Sequence, residues 1–151
     1  MADICLYRSP IGLLGIAVEN GAVIRIFRAN GDEPQIVLPL HESCVEQLRD
    51  YFDGRLRSFS VPLDLKGTEF QKKVWAELLK IPYGQTRSYA QIASAVGNPK
   101  ASRAVGQAVH NNPIPIIVPC HRVISSSGNL GGFAWGCDKK EYLLKTERGQ
   151  S

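Results

Sequence analysis

The stretch "SYAQIASAVGNPKASRAVGQAVHNNP", residues 88–113, carries two short helical patterns separated by a turn. The first opens on a capping box, Ser88 with Gln91 three residues on, and closes at Gly97. Asn98-Pro99 restarts the chain, and proline suits the first position of a new helix. The outer face of that helix carries Ala101, Ser102, Ala104, Gly106 and Ala108, with Arg103 the single long side chain among them. Two short helices joined by a Gly-Asn turn have the layout of a helix-turn-helix. Small residues let a helix approach another surface closely. A neighbouring helix and a nucleic-acid backbone both satisfy that pattern.

Upstream, "TEFQ" repeats the capping box at Thr68 and predicts a helix with Phe70, Val74, Trp75, Leu78 and Leu79 on its buried side, ending near Pro82-Tyr83-Gly84. Downstream, "DKKE" repeats it again from Asp138. Before residue 62 the pattern is different. "GLLGIAVENGAVIRIFRA" reads as two strands joined by Asn20-Gly21, the dipeptide of tight hairpins, and "ICLY" adds a third strand before a Ser9-Pro10 turn. "HESCVEQLRDYFDG" places Cys44, Val45, Leu48, Tyr51 and Phe52 on one helical stripe, with Gly54 as its stop. The expected fold is α+β. Residues 1–62 form a hairpin-rich unit with an antiparallel sheet, 63–67 a connector, and 68–151 a helical, winged-helix-like unit holding the helix-turn-helix.

A chain of 151 residues, 44% hydrophobic and 21% charged, is long enough to bury a core and too apolar for disorder. No apolar run approaches the roughly 20 residues that span a bilayer, and the N-terminus lacks the flanks of a secretory signal, so no membrane partner is expected. The expected location is cytoplasmic, with the nucleoid if the chain binds DNA. The four cysteines form no CxxC pair, and a disulfide framework is not expected. His41 and Cys44 supply at most half a metal site; a cysteine facing the core of a helix is the plainer reading, and no metal is expected. Residues 1–60 carry six Lys/Arg against eight Asp/Glu, whereas residues 61–151 carry twelve against six. Any surface for an acidic partner belongs to the second half.

The chemistry points to "PIPIIVPCHRVISSSG", residues 113–128. Cys120 sits between Pro119 and the pair His121-Arg122. Free cysteine, with a pKa of roughly 8.5, is only a few per cent thiolate at neutral pH. An imidazole that takes the proton, or a cation that stabilises the anion, makes the nucleophile abundant, and this tetrapeptide offers both. The competing reading is a buried thiol beside a core histidine and a solvent arginine. A papain-like pair is excluded because adjacent side chains point apart, although contact through a water remains open.

In this context "PYGQTRSYAQIASAVGNPKASRAVGQAVHNNP", "IPIIVPCHRVISSSGNLGGFAWG" and "KKEYLLKTERG" closely resemble the O6-alkylguanine-DNA alkyltransferase family, almost unbroken from about residue 68 to 149. The resemblance implies direct-reversal DNA repair: transfer of an alkyl (methyl) group from O6-alkylguanine to Cys120, once per molecule. It makes His121 a base acting through water and Glu147 the group that orients the imidazole. Asn112 becomes a hinge, and Tyr89 a donor to the guanine ring. Arg103 becomes the finger that replaces the extruded base from the minor groove. Ser126 and Gly131 would contribute pocket wall and phosphate contacts, and the carbonyls of Cys120 and Val123 would accept from the exocyclic amine.

Where some members carry Tyr-Ser, this chain has Phe133-Ala134, so a side-chain hydroxyl contact at Ala134 is lost; Trp135 lines the pocket or simply packs. The resemblance implies a monomer acting on double-stranded DNA, with no cofactor. The alternatives are a non-catalytic lesion-binding protein, against which Cys120 argues, and a helix-turn-helix regulator, against which the small-residue helix argues.

Overall fold

Asn20 and Gly21 both take positive φ, 52° and 77°, and join paired residues Glu19 and Ala22. This is the two-residue hairpin turn that the dipeptide favours, because its twist matches that of the flanking strands. The computed structural model describes residues 1–149. The chain divides into two compact units, Met1–Leu65 and the residues from Lys66 onward.

In the first unit, β1 (Asp3–Ser9), β2 (Gly12–Glu19) and β3 (Ala22–Arg28) form an antiparallel sheet in that order. One irregularity, between Ala17 and Val18, interrupts the register of β2 with β3. The helix α1 (Pro39–Phe52) begins two residues before the predicted "HESC", with proline at its start. His41, Cys44, Leu48 and Tyr51 are its buried residues. The His41 ring ties the helix to the sheet. Its Nδ1 accepts from the Leu38 amide at 2.9 Å, and its Nε2 lies 3.0 Å and 3.1 Å from the carbonyls of Asp3 and Ile16. Both ring nitrogens therefore serve the fold. Burial pushes the Cys44 thiol up to about 12, so it behaves as an apolar filler.

The second unit contains α2 (Glu69–Leu79), α3 (Tyr89–Ala95), α4 (Ser102–His110) and α5 (Cys137–Glu147). A short parallel pair joins β4 (Arg87–Ser88) to β5 (Val123–Ile124). The first two capping boxes close in both directions. Thr68 Oγ1 accepts from the Gln71 amide at 3.1 Å and Ser88 Oγ from the Gln91 amide at 3.0 Å, while each glutamine returns a bond to the cap amide. Val74, Trp75 and Leu78 are buried on α2, and the Trp75 indole donates to the Ala108 carbonyl at 2.9 Å, joining α2 to α4. Leu79, expected on the buried side, is 46% exposed. At 100° per residue it lies at the edge of the buried stripe, about 90° from the centre of the arc that Val74, Trp75 and Leu78 span.

Two helix starts differ from expectation. α4 begins at Ser102, not at Pro99, because the Ala101 amide bonds the Asn98 carbonyl at 3.0 Å and closes a turn with Pro99 in its second position. α5 is capped by Gly136, whose carbonyl receives the amides of Lys139 and Lys140; Asp138 lies inside the helix and pairs with Lys139 at 2.8 Å. The expected capping box there does not form. The core of this unit gathers Trp75, Leu78, Ile92, Val105, Ile114, Val118, Val123 and Leu143, all buried. The fold is mixed α+β. Among the described residues no helix is long and apolar enough to cross a membrane.

Candidate active site

The proline-rich run after α4 folds into a buried loop because one side chain replaces the missing amide donors. Asn112 Oδ1 accepts from the Ile114 amide at 3.0 Å, and its Nδ2 donates to the Val118 carbonyl at 2.8 Å. The loop is closed further by the Val118 amide on the Ile114 carbonyl at 2.9 Å. Within it Ile116, a β-branched residue, holds φ at +76° while buried. Such a conformation costs roughly 1–3 kcal/mol and persists only where the surroundings enforce it. The loop delivers the chain into a single 3₁₀ turn, Cys120–Arg122.

That turn separates three side chains that are consecutive in sequence. His121 Nε2 lies 2.5 Å from Glu147 Oε2. Arg122 grips the same carboxylate with both edges of its fork, Nε to Oε1 at 2.8 Å and Nη2 to Oε2 at 3.0 Å, and its Nη1 donates to the Ile81 carbonyl at 2.7 Å. The Gly84 amide adds a fourth donor to Glu147, at 3.2 Å. Nε2 is thus the donor nitrogen of a neutral imidazole, and Nδ1 is the nitrogen that carries the lone pair.

Cys120 is only 4% exposed. Burial pushes its thiol up to about 11, against the opposing pull of Asn112, Lys140 and the amides of Cys120 and His121. The resting sulfur is a thiol. This corrects the expectation that the local sequence makes the thiolate abundant: burial outweighs the polar neighbours, and Arg122 is spent on Glu147. Burial also holds His121 below the ordinary imidazole value, although Glu147 works in the other direction. The ring is neutral and able to accept a proton.

Tyr89 and Arg103 line one groove of about 610 Å³, together with Ser102, Gly106, Gln107 and His110. Arg103 also lines a second groove, of about 650 Å³, between α2 and α4. It stands exposed on the ridge dividing them. Tyr89 fits where it does because Gly131 leaves room for its hydroxyl, whereas a side chain at Gly106 would meet its ring at ordinary contact distance. A Cβ on Gly131 would lie 3.0 Å from its hydroxyl, and one on Gly106 would lie 3.9 Å from its ring. Burial, then the nearby cysteines, raise the Tyr89 phenol, which stays a proton donor.

Ser126 lines a separate depression of about 310 Å³ with Arg87, Ser88 and Gln91 at the start of α3. Ala134 is exposed, and Trp135 meets Phe133 edge to face at 6.0 Å. The structure therefore brings Cys120, His121, Glu147 and Asn112 together, sets Tyr89 and Arg103 on one groove, and spreads Ser126, Ala134 and Trp135 along the outer loop. Among the described residues no group of three or more His, Cys, Asp or Glu is placed to hold a metal ion.

Residues 69–149 match the family described as the DNA-binding domain of 6-O-methylguanine DNA methyltransferase. The chain is 62% identical to the methylated-DNA–protein-cysteine methyltransferase of Methanosarcina acetivorans, across 94% of this chain and 96% of that protein. The chain belongs to the methylated-DNA–protein-cysteine methyltransferase family. Solved structures of the Mycobacterium tuberculosis O6-methylguanine methyltransferase superpose with a TM-score of 0.90 at 43% identity, covering all of this chain and 95% of that one. The M. tuberculosis OGT in complex with DNA gives 0.88 at 45% identity, covering 95% and 91%.

In this methyltransferase, two buried basic residues also belong to the site. Arg122 was weighed as a cation for the thiolate or as a solvent residue, yet it is buried and anchors Glu147. Lys140 is fully buried, and its Nζ donates to the Val123 carbonyl at 2.6 Å. A carbonyl has two lone pairs, so Val123 keeps one for a second donor. The residue types alone gave no signal for either, since Lys and Arg are rarely buried; the signal was the apolar spacing of Leu143 and Leu144, which puts Lys140 and Glu147 on the same helix face.

Proposed function

We propose that the chain repairs DNA by moving an alkyl group from O6 of guanine to the sulfur of Cys120, irreversibly and once per molecule. The observation that carries this reading is the buried turn in which the acceptor precedes a neutral imidazole held by a carboxylate at 2.5 Å. As the sulfur attacks the alkyl carbon, its proton passes through a water to His121 Nδ1. Glu147 stabilises the imidazolium, in the manner of a nucleophile, a base and an orienting acid. The carbon–oxygen bond breaks with its electron pair leaving on O6, and Tyr89 supplies a proton to the guanine ring. The imidazolium returns its proton to the phenolate side, so charge is restored. The product thioether has no carbonyl for water to attack, which makes the transfer a single event.

In this reading the partner is duplex DNA entered from the minor groove, with the small residues of α4 against the backbone and Arg103 in the vacated stack. Asn112 ties the end of α4 to the acceptor loop, Ser126 and Gly131 face the strand, and Val123 receives the exocyclic amine. Ala134 and Trp135 border the pocket without a side-chain hydroxyl for O6. The protein acts as a monomer, on nucleoid DNA in the cytoplasm. The test is incubation with duplex carrying labelled methyl on O6 of guanine. Label should become covalently bound to Cys120, one per molecule; DNA binding without label on protein would favour a lesion-recognition protein instead.

Two further outcomes follow. Arg103→Ala should slow transfer from duplex about 10- to 100-fold, the worth of a few kcal/mol of base extrusion, while transfer from the free modified base changes little. Equal losses on both substrates would remove the finger role. The pH dependence has a definite sign. His121 is a base when neutral, and its proton affinity is depressed, so the acid limb of single-turnover transfer falls below pH 6.5. Rates measured between about pH 5 and pH 9 should be level through neutrality, and a half-maximal rate above pH 6.5 would contradict the assignment.

A further inference from the structure

Arg103 is not alone on the ridge that divides the two grooves beside α4. Gln107 and Asn111 line both grooves as well, and the three follow one another at four-residue spacing, a single row along the helix. All three are exposed. Neither groove has an acidic residue in its lining, and Lys100 joins Arg103 on the α2 side. Gln107 also differs from the other glutamines. The carboxamides of Gln35, Gln47, Gln71, Gln85 and Gln91 are bonded within the protein, to Leu6, Ser60, Thr68, Arg87 and Ser88 respectively. Among the described glutamines, only Gln107 has no such bond. Its side chain offers a donor and an acceptor together to whatever enters the grooves.

The minor-groove edge of a base pair suits such a group. Every pair shows acceptors there, but only G·C adds a donor, the guanine N2 amine. A carboxamide matches the guanine edge at both ends, its N–H donating to N3 and its oxygen accepting from the amine. An A·T pair leaves that oxygen without a donor. We propose that Gln107 is a specificity-determining residue for alkyl transfer: it reads a base pair flanking the lesion and favours G·C over A·T. This role rests on the reading of α4 as the minor-groove helix and of Cys120 as the acceptor. With Arg103 in the vacated stack, four residues of helix carry Gln107 about 6 Å further along the axis. Base pairs stack about 3.4 Å apart, so the long side chain comes level with a neighbouring pair. Asn111, the C-terminal cap, lies about 12 Å from Arg103 along the helix, beyond that pair.

The experiment measures single-turnover transfer to Cys120, below saturation, from duplexes that differ only in the pair beside O6-methylguanine. The flanks are G·C, inosine·C (which lacks the N2 amine), A·T and diaminopurine·T (which gains it). Each is placed on the 5′ and then on the 3′ side, for the full chain, Gln107→Ala and Gln107→Leu. Position 107 is exposed on a helix and both replacements are good helix formers, so the variants fold. Dividing the wild-type rate by the variant rate on each duplex cancels that duplex's own resistance to base extrusion. On at least one side the ratio should be about five to ten for the two amine-bearing flanks, and about two or less for the two that lack the amine. A ratio no higher with the amine than without it, on both sides, overturns the proposal. Wild-type protein that labels Cys120 from none of the duplexes overturns the acceptor reading. Labelling from all of them, with ratios blind to the amine, overturns only the role of Gln107.

Discussion

Cys120→Ala should abolish alkyl transfer from duplex DNA while leaving DNA affinity nearly unchanged. Cys120 is 4% exposed and contributes almost nothing to the protein surface. Its loss removes one small buried group, at a cost of about 1 kcal/mol, too little to unfold a domain of ordinary stability. No other thiol stands in its place. Cys5 and Cys44 are buried in the first unit, and the exposed Cys137 donates to the Gly131 carbonyl at 3.4 Å, away from the imidazole–carboxylate pair. Single-turnover labelling and a fluorescence-anisotropy titration separate the two effects. Residual label located on Cys137 would show that the acceptor has been misassigned.

Glu147→Gln should produce the second largest effect, and in two currents at once. The carboxylate takes donors from His121, Arg122 and Gly84, so its charge both steadies an imidazolium and neutralises a buried guanidinium. Losing the first role should slow transfer by about 10²–10⁴-fold, the range of positioned acid–base groups. Losing the second leaves Arg122 buried without a counter-charge and should cost about 3–5 kcal/mol of stability. Adding Arg122→Met separates them. Taking away the guanidinium removes the uncompensated buried charge, so urea unfolding of the double variant should recover part of the loss. Transfer should not recover. A folded double variant with wild-type transfer rates would break the relay.

How much of this was legible in the sequence depends on how far each interaction reaches along the chain. The Asn20-Gly21 hairpin and the capping boxes at Thr68 and Ser88 close within two to three residues, and the pattern of residue types was sufficient for them. The same motif misled at Asp138, because Gly136 supplies the cap carbonyl first, and at Pro99, because a turn captured the residues expected to begin α4. His41 and Cys44 looked like half a ligand set, but His41 Nδ1 accepts from the Leu38 amide and its Nε2 lies against backbone carbonyls 25 and 38 residues away.

The acceptor, its imidazole and Glu147 were read through their resemblance to a known family. No local pattern announced that Arg122 would pair with a carboxylate 25 residues on, or that Lys140 would bond a carbonyl 17 residues back. The electrostatic state of Cys120 was equally hidden. Neighbouring residue types suggested an ionised sulfur, whereas the thiol is pushed up to about 11 by burial, which only the folded chain determines.

The mass of the intact protein before and after exposure to duplex containing O6-methylguanine is the most direct test of a thiol that keeps what it removes. The account predicts a shift of one CH₂ unit per molecule, placed on Cys120 by digestion, that saturates at one equivalent of lesion and does not reverse on standing. An unchanged mass beside a repaired guanine, or continued repair beyond one equivalent, would contradict it.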